Sequence, residues 1–156
     1  MMSPKRVKDS QVITTQLVLP NDTNQLGNLL GGTLMHWIDI AAAIAAQRHT
    51  DRVCVTASVD ELNFHHPIRL GDIVTLQASV NRVFRTSMEI GVMVTAFTRD
   101  GHEERRANNA YLTFVAIDES GRPVEIPQVV AESPEERRRF EEALARRERR
   151  LANRRL

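Results

Sequence analysis

The segment from Thr33 to about Arg48 limits what this chain can become. Leu34, Trp37, Ile38, Ala41, Ile44 and Ala45 recur at helical spacing, and from Ala41 to Ala46 the helix is apolar nearly all round. Such a helix has no side to give to water, so the rest of the chain must wrap it.

What can wrap it is a series of strands. Gln11 to Leu19 mixes Val12, Ile13, Leu17 and Val18 with threonines and predicts a first strand. It stops at Pro20-Asn21-Asp22-Thr23-Asn24, where proline and Asx residues favour turns. After the helix, Val53, Val55, Ala57 and Val59 alternate with Cys54, Thr56, Ser58 and Asp60. The apolar phase then slips to Leu62 and Phe64, as an inserted bulge residue would make it do. Val74, Leu76, Ala78 and Val80 form the inward set of the next strand, and Met88, Ile90, Val92, Val94 and Ala96 that of another. Ala110, Leu112, Phe114 and Ala116 face inward from a last strand, about Arg106 to Ile117. Short polar turns predict antiparallel neighbours in a meander, because a parallel crossover needs about a dozen residues or more.

The expected class is α+β, a single domain whose twisted antiparallel sheet curls round one central helix, with an arginine-rich C-terminal helix added. Residues 1–10 are polar and read as a flexible arm, residues 11–127 as the domain and residues 128–156 as a helical tail. Ser133-Pro134-Glu135-Glu136 opens the tail helix with a cap, a first-turn proline and an acidic first turn.

At 156 residues the chain is the size of one domain. Its single cysteine, Cys54, forbids an internal disulfide, suits a reducing cytoplasm and reads as a core thiol. No apolar run approaches the roughly 20 residues of a membrane span, so a soluble cytoplasmic protein is expected. The net charge of +1 argues against a nucleic-acid partner. The basic excess belongs to the tail, where residues 132–156 hold nine arginines and six acids.

Three features could carry chemistry. Asp39 lies in the most apolar helix, where an unpaired carboxylate is expensive to desolvate; it is either a structural cap or ion pair, or a working group. It shares a helical face with Gly32, Met35, His36 and Ala43, which points towards the loop bearing Asn24. Gly27 to Gly32 joins that loop to the helix. Its glycines allow close backbone approach, and a helix start offers unpaired N–H groups that would suit an oxyanion, although paired glycines also begin ordinary helices. Asn24 has both a donor and an acceptor, for a carbonyl, a water or a plain Asx turn. His65-His66 point to opposite faces of a strand and lack companion ligands, so no metal site is expected. No Gly-x-Ser-x-Gly elbow is present to suggest a serine triad.

Leu19 to Gly32, continuing through Trp37-Ile38-Asp39, resembles the signature of the bacterial and mitochondrial-type acyl-CoA hydrolases of the hotdog superfamily. Val55-Thr56-Ala57-Ser58-Val59-Asp60, Phe64-His65-His66-Pro67-Ile68, Gly71-Asp72, Arg85-Thr86-Ser87-Met88 and Phe114-Val115-Ala116-Ile117-Asp118 follow in the same order. The resemblance spans about residues 11–127. It departs at Leu29-Leu30, where relatives more often carry an aromatic residue or histidine.

The resemblance implies a hotdog domain, dimers that pair sheets edge to edge, active sites shared at the seam, and three dimers in a hexamer. It implies that Asp39 is the catalytic carboxylate, Asn24 the side chain contributed across the interface, and Gly32 or its neighbour Gly31 the N–H that polarises the thioester carbonyl. Substrate contacts are implied for Gly31, His36 and Phe64. They are also implied for Arg85, Thr86 and Ser87, whose cation and hydroxyls suit phosphate. No cofactor is expected, coenzyme A being part of the substrate and product.

The expected reaction is hydrolysis of acyl-CoA, with Asp39 as general base for water or as direct nucleophile. A non-catalytic acyl-CoA-binding regulator and a hotdog enoyl-CoA hydratase using His36 are the alternatives. Phe140, Leu144 and Leu151 form a narrow stripe for docking the tail on the body or on a neighbouring subunit. Its arginines could instead attract an anionic membrane or substrate phosphates.

Overall fold

The central helix is covered by a curled sheet, as its composition requires. The computed structural model describes residues 2–60, 62, 65–98, 100 and 102–154. In chain order the elements are β1 (Lys5–Arg6), α1 (Val7–Ser10), β2 (Val12–Leu17), α2 (Gly31–Thr50), β3 (Val53–Asp60), β4 (Ile73–Val83), β5 (Ser87–Phe97), β6 (Glu104–Ile117), β7 (Val129–Val130) and α3 (Pro134–Asn153). Leu34, Ile38, Ala41, Ala42, Ala45 and Ala46 of α2 are buried against the inward sets of β4, β5 and β6, all of which are buried where they were expected to be. Each Leu or Ile so placed contributes about 1.5–3 kcal/mol, so these rows set the curl.

Strand order is β2-β4-β5-β6-β3, with every pair antiparallel. Only β4, β5 and β6 form the expected meander. After β3 the chain runs from residue 61 to residue 72 before β4 begins, which is long enough to carry it from one edge of the sheet to beside the other. The bulge in β3 lies between Thr56 and Ser58, upstream of the expected slip at Leu62 and Phe64; Phe64 itself is outside the described residues. Val53 and Val55 therefore pair with Ile117 and Val115 on the outer face, while Cys54 and Thr56 oppose the inward-facing Ala116 and Phe114. The predicted inward row of β3 is thus reversed in its first half, and Val53, Val55 and Val59 stand 67%, 44% and 40% exposed on an edge strand.

Within the segment expected to be a flexible arm, Lys5–Arg6 and Val7–Ser10 form β1 and α1. β1 runs parallel to β7, and Arg6 N–H donates to Asp9 Oδ2 at 3.0 Å to fix the turn of α1. Val7 and Ser10 are buried. One apolar side chain and a satisfied turn are enough to dock a short polar segment. Beneath it His49, fully buried near the end of α2, has Nε2 at 2.7 Å from the Pro127 carbonyl; that nitrogen is the donor. Nδ1 is buried without a partner among the described residues. Burial pushes the His49 pKa below its ordinary value, because no acceptor waits for a second ring proton.

The tail helix crosses the outer face of the sheet. Ser133 Oγ caps it by accepting from Glu136 N–H at 3.1 Å. The expected apolar stripe is seated in part: Phe140 packs against the core and Leu144 is partly buried, while Leu151 is exposed, and Ala143 and a row of arginines complete the contact. Arg146 grips Glu89 of β5 in a bidentate pair at 2.7 and 2.9 Å, and Asn81 Nδ2 donates to the same carboxylate at 2.9 Å. Arg146 also lies 3.6 Å from the Tyr111 ring centroid, and Arg150 bonds Asp60 at 2.8 Å. Gly91 is required here: a Cβ would come within 2.7 Å of the Asn81 amide nitrogen.

Glu89 is 1% exposed, so removing it strands a buried guanidinium. Glu89→Ala is expected to cost about 3–5 kcal/mol in urea unfolding, whereas Glu89→Leu combined with Arg146→Met should recover most of that loss. For His49 the sign is fixed by its depressed folded pKa. Its stabilising neutral form is fully present above the unfolded value of about 6.5, and the stability is lost as pH falls from there through the folded value. The urea midpoint should drop between about pH 7.5 and 5.5, and by less in His49→Gln.

Candidate active site

The loop after β2 is built on its own side chains. Asp22 Oδ2 accepts from Leu19 N–H at 2.8 Å, and Thr23 Oγ1 donates to the Pro20 carbonyl at 2.8 Å. Asn24 Oδ1 accepts from the Leu26 and Asn28 amides at 2.9 and 3.1 Å. The Asx turn and the functional reading are therefore compatible: the oxygen holds the loop, and Nδ2, with no partner among the described residues, remains as a donor. Asn24, Leu29, Gly31, Leu34, His66 and Ile68 line a cavity of about 320 Å³. Asn28 also lines it, with its side-chain oxygen buried and unpartnered among the described residues.

Gly31 and Gly32 open α2, two residues earlier than the sequence spacing suggests. Leu30 occupies the cap position and has no side chain that could accept a hydrogen bond, so the first amides of α2 keep unpaired N–H groups at the positive end of the helix. Apart from its chain neighbours and the backbone of its own helix, no atom of the described residues lies within 4 Å of where a Cβ on Gly32 would sit, which leaves room for a ligand to approach that amide.

Asp39 lies two turns along the same helix, half-buried, and accepts from Thr56 Oγ1 at 2.7 Å. Thr56 shares with Cys54 the face of β3 that opposes the inward-facing Phe114 and Ala116, which turns its hydroxyl to the helix side. Thr56 was not singled out from sequence, because a threonine in an alternating strand carries no signal of its own. His36, one turn before Asp39, is exposed and has no side-chain hydrogen bond among those described.

Arg85, Thr86 and Ser87 form the β4–β5 turn. It is held by Ala116 N–H on the Thr86 carbonyl at 3.2 Å and by Ile126 N–H on the Arg85 carbonyl at 2.9 Å. Arg85 is 79% exposed, with Glu125 Oε1 at 3.9 Å. Ser87 Oγ accepts from Arg147 at 3.3 Å. Within one chain, then, Asn24, Gly31 and His66 share a cavity, Asp39 and Thr56 pair elsewhere along α2, and the 85–87 turn stands apart. Cys54 is half-buried beside Thr50, and burial pushes its thiol pKa up, against a nucleophile. Among the described residues no group of three or more His, Cys, Asp or Glu could hold a metal.

The thioesterase superfamily model matches residues 26–101. The uncharacterized acyl-CoA thioester hydrolase YkhA of Bacillus subtilis (strain 168) is 44% identical over 129 residues, 83% of this chain and 75% of its own length. The cytosolic acyl coenzyme A thioester hydrolase of Rattus norvegicus is 38% identical over 145 residues; these are 92% of this chain but only 38% of that longer protein. The crystal structure of an apo hexameric acyl-CoA thioesterase superposes with a TM-score of 0.94 at 39% identity, covering 97% of each chain. An acyl-CoA hydrolase from Staphylococcus aureus, in complex with butyryl coenzyme A, coenzyme A and coenzyme A disulfide, gives 0.90 at 38% identity, covering 96% of this chain and 92% of that one. The Staphylococcus enzyme has also been solved with single asparagine, aspartate and threonine residues changed to alanine. Their spacing along that chain is the spacing of Asn24, Asp39 and Thr56 here.

Proposed function

This chain belongs to the thioesterase superfamily, among its acyl-CoA hydrolases, and from that premise we propose that it hydrolyses acyl-CoA to a free acid and coenzyme A. The observation that carries the chemistry is the Thr56–Asp39 hydrogen bond, which fixes one carboxylate oxygen and leaves the other to take a proton from water. That water attacks the thioester carbon. The N–H of Gly32, with Gly31 beside it, and Asn24 Nδ2 hold the oxyanion. Collapse of the intermediate breaks the C–S bond, and the coenzyme A thiolate recovers its proton from Asp39. The same three residue types, equally spaced and altered in the Staphylococcus enzyme, support these roles.

The site is completed by a second subunit. β3 presents an unpaired edge with Val53, Val55 and Val59 exposed beside Thr56, and pairing two such edges would extend the sheet and bring the Asn24 loop of one protomer towards Asp39 of the other. Three such dimers make a hexamer, in keeping with the hexameric relative. Arg85, Thr86 and Ser87 receive the phosphates of coenzyme A, and His36 contacts the substrate; Phe64, expected in the same role, lies outside the described residues. The enzyme works in the cytoplasm, as the name of the rat relative suggests, and needs no cofactor.

Asp39→Asn, which keeps the hydrogen bond from Thr56, is expected to lower kcat by about 10²–10⁴ in a free-thiol release assay; near wild-type turnover would remove Asp39 from the mechanism. Asn24→Asp keeps the oxygen that builds the loop and loses the donor. Its kcat should fall about 10²–10³ with KM moved far less, and a change confined to KM would leave Asn24 a positioning residue.

A further inference from the structure

The sheet-facing arginines of α3 are matched to acids with one exception. Arg139 has Glu135, Arg146 has Glu89 and Arg150 has Asp60. Arg147 has no carboxylate within salt-bridge distance among the described residues. Its guanidinium stacks 4.2 Å from the Phe84 ring centroid and donates to Ser87 Oγ at 3.3 Å. The other guanidinium on Phe84, that of Arg82, spends a donor on the Phe140 carbonyl at 3.2 Å and so belongs to the docking of the helix.

A half-buried cation without a counter-charge is costly, and its neighbours make matters worse. Burial first, then repulsion from Arg150 and Arg154, pushes the Arg147 pKa below its ordinary value. A dianionic group in front of Ser87 would relieve that repulsion and meet a pre-oriented guanidinium fork. The stack on Phe84 and the hydrogen bond to Ser87 hold the fork ready, so little side-chain freedom remains to be lost on binding. The fork also sits on the very turn assigned above to the phosphates of coenzyme A.

We infer that Arg147 forms with Ser87 the phosphate end of the acyl-CoA site, so that the tail helix is part of the substrate-binding surface. The inference rests on the acyl-CoA reading and deepens it. Arg147 binds the nucleotide end only and has no part in breaking the thioester.

The test compares one acyl group carried on coenzyme A and on pantetheine, which lacks the phosphates. Arg147→Met should raise KM for the acyl-CoA about tenfold, as for one lost charge-assisted hydrogen bond, with kcat held and no rise for the pantetheine thioester. Arg149→Met, on the solvent side of α3, is the control and should change neither. Titration calorimetry with coenzyme A alone reads the same contact without turnover, so failure of hydrolysis by the wild-type chain and failure of this site are seen separately. The inference is overturned if Arg147→Met matches the Arg149→Met control in coenzyme A affinity, or if it raises KM equally for both substrates.

Discussion

The burial of the alanine-rich face of α2 is the constraint from which the rest follows. A helix whose Ala41, Ala42, Ala45 and Ala46 are without contact with water needs a sheet that curls, and alanines let the strands come close. The rows of β4, β5 and β6 supply the floor. What the floor cannot supply is a cover along the side where α2 carries Asp39. There the wrapping is done by an edge strand with a bulge, and that strand presents a hydroxyl to the carboxylate. The one carboxylate of α2 is thus found where the wrapping is least complete.

The outer face of the same sheet follows a different chemistry. Where the inner face is a dry interlock of Val, Ile, Leu and Ala, the outer one is closed by arginines lying flat on aromatic rings and reaching carboxylates. Guanidinium groups suit this work, because their long stems cover apolar surface while the planar head stacks and donates at once. Each such contact is specific in direction. The tail therefore has one seat on the sheet, where a greasy stripe would have allowed several.

Much of this was legible in the chain itself. The inward rows of β4, β5 and β6 are plain in the alternation, and α2 in its spacing, because both patterns report burial on a whole face. The polarity of β3 was not legible: an edge strand with valines on its exposed side looks like an interior one, and the bulge residue Ala57 has no mark that distinguishes it. Thr56 was hidden for that reason. Asp39 stood out as a charge in an apolar run, whereas Asn24 and the glycine pair gained meaning only from the order of the motifs. The seat of the tail was legible only in part, in Phe140 and Leu144, because the rest of the contact is made by charged residues whose partners lie far away in sequence. The docked first residues were missed likewise, a single valine being too little pattern to read.

The parallel pairing of β1 with β7 joins the opening residues to the segment that leads into α3. Lys5 N–H donates to the Gln128 carbonyl at 2.9 Å, and its ammonium reaches the Arg48 carbonyl and Asp51 at the far end of α2. The opening residues are a buckle between the central helix and the lead-in to α3. Hydrogen exchange in the two terminal segments should consequently rise and fall together, as one cooperative unit rather than two fraying ends.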